Sequence, residues 1–213
     1  MLNLSEIYVP DSKDGIVSGA RVYDFYETLR ASGYPMRTEK IDYTNDLNAY
    51  DLTPDIKRCK GLIKAVKEDN DAHGQFLTGI LVSFDLTFTV KAWTEAERYK
   101  FLYFISSMSS CHRISKFDLD TCFDGHVDER CKEVIRELVE EYNAETDPEK
   151  KKEKYLNLLY SCPTGLKLTA RLTTNYRCLR NIYKQRKTHR LPEWREFCEW
   201  LKTLPYAEEF IIN

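Results

Sequence analysis

Strict alternation is the sharpest pattern along the chain. In ILVSFDLTFTVK, residues 80–91, Ile80, Val82, Phe84, Leu86, Phe88 and Val90 alternate with Leu81, Ser83, Asp85, Thr87, Thr89 and Lys91. Period two over that length predicts a long strand with one buried face. EIYVP, residues 6–10, predicts a short strand ended by Pro10, and residues 15–35 read as a helix closed by Gly33 and Pro35. MRTEKIDYTNDLNAYDL, residues 36–52, has weak periodicity and reads as a polar connection or short hairpin. Thr53 then fits an N-cap, with Pro54 at the first helical position, for a helix over 54–69.

Downstream of the long strand the patterns are helical. Thr94 and Glu97 have capping-box spacing and predict a helix that carries Arg98, Phe101, Leu102 and Ile105. It runs into SSMSSCHRIS, read as a helix end and a loop. Residues 127–143 are amphipathic through Val134, Ile135, Leu138 and Val139, and residues 147–160 form a second helix. CPTG, residues 162–165, breaks the chain, and residues 191–205 place Trp194, Phe197, Trp200 and Leu201 at helical spacing as core. The mixed order predicts helices around one sheet.

NYRCLRNIYKQR, residues 175–186, raises a question. On a helix, Leu179, Ile182 and Tyr183 share a face, and Asn175 and Arg186 fall on that same face. An arginine aimed at the core is costly without a partner, and a ligand is one candidate. Read from the residues alone, Asn175 also fits an N-cap, Arg177 and Asn181 fit an exposed pair, and Arg186 fits an outward-facing helix end.

Composition adds bounds. The 213 residues suit one domain, hydrophobic residues make up 42% and charged ones 31%, and the net charge of -2 gives no broad attraction to nucleic acid or membranes. No run approaches a membrane span and no secretory signal is visible, so a cytoplasmic protein is expected. Seven scattered cysteines without CxxC pairs predict reduced thiols. Cys122, His126 and Cys131 match no common zinc spacing, so no metal is expected. The basic stretch RNIYKQRKTHR is the one place where phosphates of a nucleic acid could dock, and the rest of the chain offers no basic face to extend it.

From Pro163 to Trp194 the sequence resembles the flavin-dependent thymidylate synthases. The family pattern N-x-R-x(3)-N-x(4)-R falls in register on Asn175, Arg177, Asn181 and Arg186. His73, ahead of the long strand, sits where the family has a histidine, and SGARVY is similar to its Ala-Arg-Val segment. The resemblance implies a mixed α+β fold, with helices on a mainly antiparallel sheet, as one domain over 1–213 with an insertion at about 30–52. It also implies an FAD-dependent methyltransferase acting on dUMP or a related pyrimidine nucleotide. Methylenetetrahydrofolate and NADPH would be co-substrates, and the assembly a homotetramer. His73, Asn175, Arg177 and Asn181 would hold the flavin, and Ser107, His112, Arg113 and Arg186 the nucleotide.

The family hallmark R-H-R-x(2)-S-x-N-E-x-S-x-R-Y would occupy residues 102–115, where this chain reads LYFISSMSSCHRIS and only Ser107 agrees. Leu102, Tyr103 and Phe104 replace the basic triplet, Ser109 and Ser110 the Asn-Glu pair, and Arg113 lies one place from the expected arginine. Leu159 and Thr78 stand where the family has an arginine and a glutamate. The chain therefore reads as a divergent member. Its alternative is an inactive protein of the same fold that senses or sequesters a nucleotide.

Overall fold

The computed structural model describes residues 6–43, 50–66 and 72–213. Residues 44–49 of the 36–52 connection and the end of the 54–69 helix lie outside them. A five-stranded antiparallel sheet organises the chain, in the order β1 (Glu6–Val9), β2 (Val17–Tyr23), β3 (Leu81–Thr89), β5 (Lys167–Asn175), β4 (Tyr103–Ser107). The expected mixed fold of helices on an antiparallel sheet is the fold observed. Among the described residues no helix is long and apolar enough to cross a membrane.

Central strand β3 follows the alternation in its sequence. Val82, Phe84 and Leu86 are fully buried, whereas Leu81 on the opposite face is 41% exposed. On that open face Ser83 bonds Thr173 at 3.0 Å, Thr87 bonds Thr169 at 2.8 Å, and Arg171 reaches Asp85 at 3.2 Å. These pairs across β3 and β5 satisfy the polar groups of this half-buried layer.

The buried face is closed by helices α7 (Tyr176–Arg186) and α8 (Pro192–Leu201). Trp194, Phe197, Trp200 and Leu201 are core, as their spacing predicts, and Phe88 meets Trp194 edge-on at 4.8 Å between centroids. A second cluster of Ile114, Phe123, Ile135, Leu158 and Leu166 lies under an antiparallel pair of helices, α5 (Glu129–Ala144) and α6 (Pro148–Ser161). Both helices are capped as Asx motifs, Asp128 accepting from the Arg130 N–H and Asp147 from Glu149 and Lys150.

Four elements depart from the pattern reading. Residues 15–35 are not one helix: β2 comes first, and helix α1 (Phe25–Ala31) follows. Gly19, at φ +58°, lies in a register shift between Ser18 and Arg21, so the core-facing residues are Val17, Ala20 and Val22. That spacing of three then two imitates a helix, and the positive φ is one glycine adopts without strain. Thr53 opens helix α2 (Thr53–Ala65) but makes no cap; the Asp51 carboxylate accepts its N–H at 2.9 Å.

Thr94 does not start a helix. Helix α3 (Val90–Ala96) begins directly after β3, with Thr89 accepting the Ala92 N–H at 3.2 Å, and Thr94 donates back to the Lys91 carbonyl. The helix expected through Ile105 is instead edge strand β4, all five of whose residues are exposed, followed by the single-turn helix α4 (Ser110–Arg113). An edge strand with no buried face leaves no period-two signature. Strand β5 separates CPTG from α7, a stretch to which the pattern reading assigns no element.

Candidate functional site

Strand β5 runs straight into α7, and the junction is where the site begins. Asn175 is the last residue of the strand and caps the helix, its side-chain oxygen accepting the Cys178 N–H at 2.9 Å. The N-cap reading of Asn175 is the one observed, and the same residue lines a cavity of about 870 Å³. That volume is in the range of small-molecule and cofactor sites, roughly 300–1,000 Å³.

Four segments wall the cavity, the end of α2 contributing Val66. The first turns of α7 contribute Asn175, Arg177, Cys178, Arg180, Asn181 and Lys184. The turn after α3 contributes Arg98, Tyr99, Lys100 and Phe101, and the 3-10 segment Ala72–Thr78 contributes Gln75 and Thr78. The 3-10 segment is tied to the helix by Arg177, whose Nη1 donates to Gln75 Oε1 at 2.6 Å. Tyr99 is held from below, its hydroxyl accepting from Arg186 Nε at 2.8 Å and donating to Gln185 Oε1 at 2.9 Å.

Charge on this wall is one-sided. Arg98, Lys100, Arg177, Arg180 and Lys184 all line the cavity, and no carboxylate does among the described residues. Arg180 is buried and donates to the Phe210 carbonyl at 3.3 Å. Converging cations beside the start of a helix favour an anion or an oxygen-rich ligand. Cys178, the thiol of the lining, is pushed up by burial. It therefore stays protonated at neutral pH and is a poor nucleophile. The arrangement binds and orients; it holds no activated nucleophile among these residues.

Of the residues singled out in the sequence, Asn175, Arg177 and Asn181 come together here. His73 is exposed and lines a neighbouring cavity of about 430 Å³, which shares Gln75 and Thr78 with the first. Ser107 on β4, and His112 and Arg113 in α4, are exposed and belong to neither lining.

Arg186 is where the chain answers its own question. It is 9% exposed, as its position on the core face predicts, but its partner is internal: Nη1 meets Glu95 Oε2 at 2.6 Å. Its guanidinium also stacks over Trp194 at 4.9 Å and Tyr99 at 5.6 Å from the ring centroids. The idea that a ligand must complete this arginine gives way to an ion pair with a residue 91 positions upstream.

Arg98, Lys100 and Lys184 were not picked out from the sequence as ligand-facing. The available signal was the cluster ERYK at the end of a helix, which becomes informative only once that helix stops at Ala96.

No protein-family model and no curated protein matches the sequence. Solved structures match in shape. The crystal structure of the flavin-dependent thymidylate synthase ThyX from Helicobacter pylori, complexed with FAD and dUMP, aligns with a TM-score of 0.61 at 15% identity, over 90% of this chain and 95% of that one. A second structure of the same enzyme with FAD and dUMP aligns at 0.58 and 15% identity, over 87% and 91%. The cationic cavity at the β5–α7 junction is thus set in a chain with the fold of the ThyX flavin-dependent thymidylate synthases.

Proposed function

We propose that this protein is a divergent flavin-dependent thymidylate synthase-like protein, which holds FAD and a pyrimidine deoxynucleotide at the β5–α7 cavity. The reaction would be one-carbon transfer to dUMP or a relative, with methylenetetrahydrofolate and NADPH as co-substrates. One observation carries the reading: Asn175, Arg177 and Asn181, spaced as in that family, line an 870 Å³ cavity together with the cations Arg98 and Lys100 from the turn after α3. The fold shared with structures that contain FAD and dUMP supports it.

The residues present fit a flavin dinucleotide in chemistry. Its pyrophosphate is an anion that Arg98, Lys100, Arg177 and Lys184 can neutralise, and its ring carbonyls accept from amide N–H groups. Bound there, flavin supplies the hydride and one-carbon chemistry, and the protein supplies binding and orientation. His73 lines the adjoining cavity and extends the flavin contacts in this reading. Ser107, His112 and Arg113 would reach a nucleotide only from a neighbouring subunit, because they lie on the exposed β4–α4 edge. The same edge presents Phe101, Tyr103, Phe104, Ile105 and Met108 to solvent, which favours a homo-oligomer, a tetramer by resemblance. All seven cysteines are free thiols, which supports a cytoplasmic setting.

The alternative is a protein of this fold that binds a nucleotide without turning it over. Its support is the stretch at 102–105, where Leu102, Tyr103, Phe104 and Ile105 offer no charged contact. The visible absorption spectrum of purified protein, before and after incubation with FAD and removal of the excess, tests the choice. A retained flavin band supports the enzyme. Nucleotide-induced thermal stabilisation with no flavin retained supports the binding protein and overturns the flavin reading. Light scattering tests the assembly, and a monomer would remove the role given to the β4–α4 edge.

A further inference from the structure

An arginine can only donate hydrogen bonds, and this fixes the sense of a whole chain of contacts. Arg186 is clamped by Glu95 at 2.6 Å, and its Nε donates to the Tyr99 hydroxyl at 2.8 Å. The Tyr99 hydrogen then points on to Gln185 Oε1 at 2.9 Å. With that oxygen used, the other end of the Gln185 amide is its NH2, which donates to Asn181 Oδ1 at 3.0 Å. Gln185 and Asn181 are one helical turn apart, so the last contact closes along α7. Asn181 has its oxygen turned back to the helix, and its NH2 is the end left for the cavity it lines.

The other two carboxamides of the lining are turned the same way. Asn175 Oδ1 accepts the Cys178 N–H at 2.9 Å, and Gln75 Oε1 accepts from Arg177 at 2.6 Å. An amide is ordinarily ambidextrous toward a ligand. Here each oxygen already accepts one hydrogen bond within the protein and is turned toward that donor, and the Gln75 NH2 is itself spent on Thr78 at 3.5 Å.

We propose that the Glu95–Arg186–Tyr99–Gln185 relay is a specificity device, which locks Asn181 as a donor so that the cavity takes acceptor-only groups, phosphate or carbonyl oxygens. Gln185 and Arg186, which lie outside the lining, are positioning residues; Tyr99 lines the cavity as well as carrying the relay, and Asn181 is the group whose polarity the relay sets. The inference deepens the flavin and nucleotide reading and rests on it for the identity of the ligand, but not for the polarity of the site.

The test is a thermodynamic cycle with two probes, FAD and inorganic pyrophosphate, titrated into wild type, Asn181→Ala, Gln185→Ala and the double variant. Gln185→Ala weakens binding roughly three- to tenfold, the worth of one neutral hydrogen bond, and has no further effect once Asn181 is alanine. Tyr99→Phe keeps the ring, breaks the relay and repeats the pattern. Asn181→Asp replaces the outward donor by an acceptor and binds more weakly than Asn181→Ala. Equal losses from Gln185→Ala in both backgrounds would show a merely structural role, and unimpaired binding by Asn181→Asp would overturn the donor assignment. If pyrophosphate binds with the predicted coupling and FAD does not bind, the flavin reading falls and the relay stands. If FAD binds without coupling, the relay alone falls, and if neither probe binds, both do.

Discussion

Replacing Glu95 by glutamine removes one charge and leaves the shape and an acceptor oxygen. Three basic groups converge on this carboxylate: Arg186 Nη1 at 2.6 Å, His189 Nε2 at 3.1 Å and Lys91 Nζ at 3.6 Å. Two unit charges about 4 Å apart interact by roughly 4 kcal/mol at an effective dielectric near 20. Some of that is screened, because the Arg186 and Glu95 side chains keep 11% and 16% exposure. The Tyr99 hydrogen bond and the stacking on Trp194 survive the substitution and continue to hold the guanidinium. A net loss of about 2–3 kcal/mol remains, at the lower edge of the roughly 3–5 kcal/mol for breaking a fully buried pair, as the residual exposure and the retained acceptor require. For a chain of this size that lowers Tm by roughly 4–12 °C. Urea unfolding followed by tryptophan fluorescence reads the loss, and Glu95→Leu with Arg186→Met should cost less than either charge removed alone. If Glu95→Gln costs less than about 0.5 kcal/mol, the scatter of surface substitutions, then Arg186 does not depend on Glu95, and the case for its internal role collapses.

Arg177→Ala should weaken FAD binding by tenfold or more, the usual loss for a charge-assisted contact, with the unfolding midpoint little changed; equal affinity in a fluorescence titration would remove Arg177 from the site. Gly79→Ala should destabilise by about 1–3 kcal/mol, because the new methyl would sit 2.6 Å from Oγ1 of the buried Thr28 on α1; an unchanged thermal midpoint would refute that contact. Alkaline pH should unfold the protein early. Burial pushes the Cys198 thiol up to about 12 and Cys162 up to about 11, from an ordinary 9.0. Above pH 9 the unfolded chain therefore binds fewer protons than the folded one, and stability falls as pH rises toward those values. Urea midpoints at pH 8 and pH 10 check the sign, and Cys198→Ala should flatten the drop.

What could be read from the sequence follows from how local each cause is. Strand β3 was legible because its burial alternates residue by residue, and α5, α6, α7 and α8 because each keeps one apolar stripe. Strand β2 was not, because the bulge at Gly19 resets the period inside seven residues. Strand β4 was not, because its partner β5 lies about 65 residues downstream by their pairing and it buries neither face. Strand β5 carried an alternation of Leu168, Ala170, Leu172 and Thr174 that could have been recognised, with three of the four positions buried.

The site divides along the same line. Asn175, Arg177 and Asn181 were legible through the family spacing they match: Arg177 and Asn181 stand one turn apart on α7, and Asn175 ends β5 and caps that helix. Arg98 and Lys100 were hidden by the extended helix that the Thr94 spacing suggested. Arg186 shows both halves at once. Its face was fixed by helix geometry and was read correctly, and its burial raised the right question about a partner. The answer stood in TEAE, where Glu95 lay beside a supposed capping box. Only folding brings α3 against α7 and turns that glutamate into the counter-ion. The consequence reaches the cavity, because an arginine spent on Glu95 no longer needs a ligand, yet through Tyr99 and Gln185 it still sets which end of Asn181 a ligand meets. A residue first read as a direct contact thus lies three hydrogen bonds from Asn181 and four from the ligand, and Gln185→Ala should change selectivity with less loss of stability than Glu95→Gln.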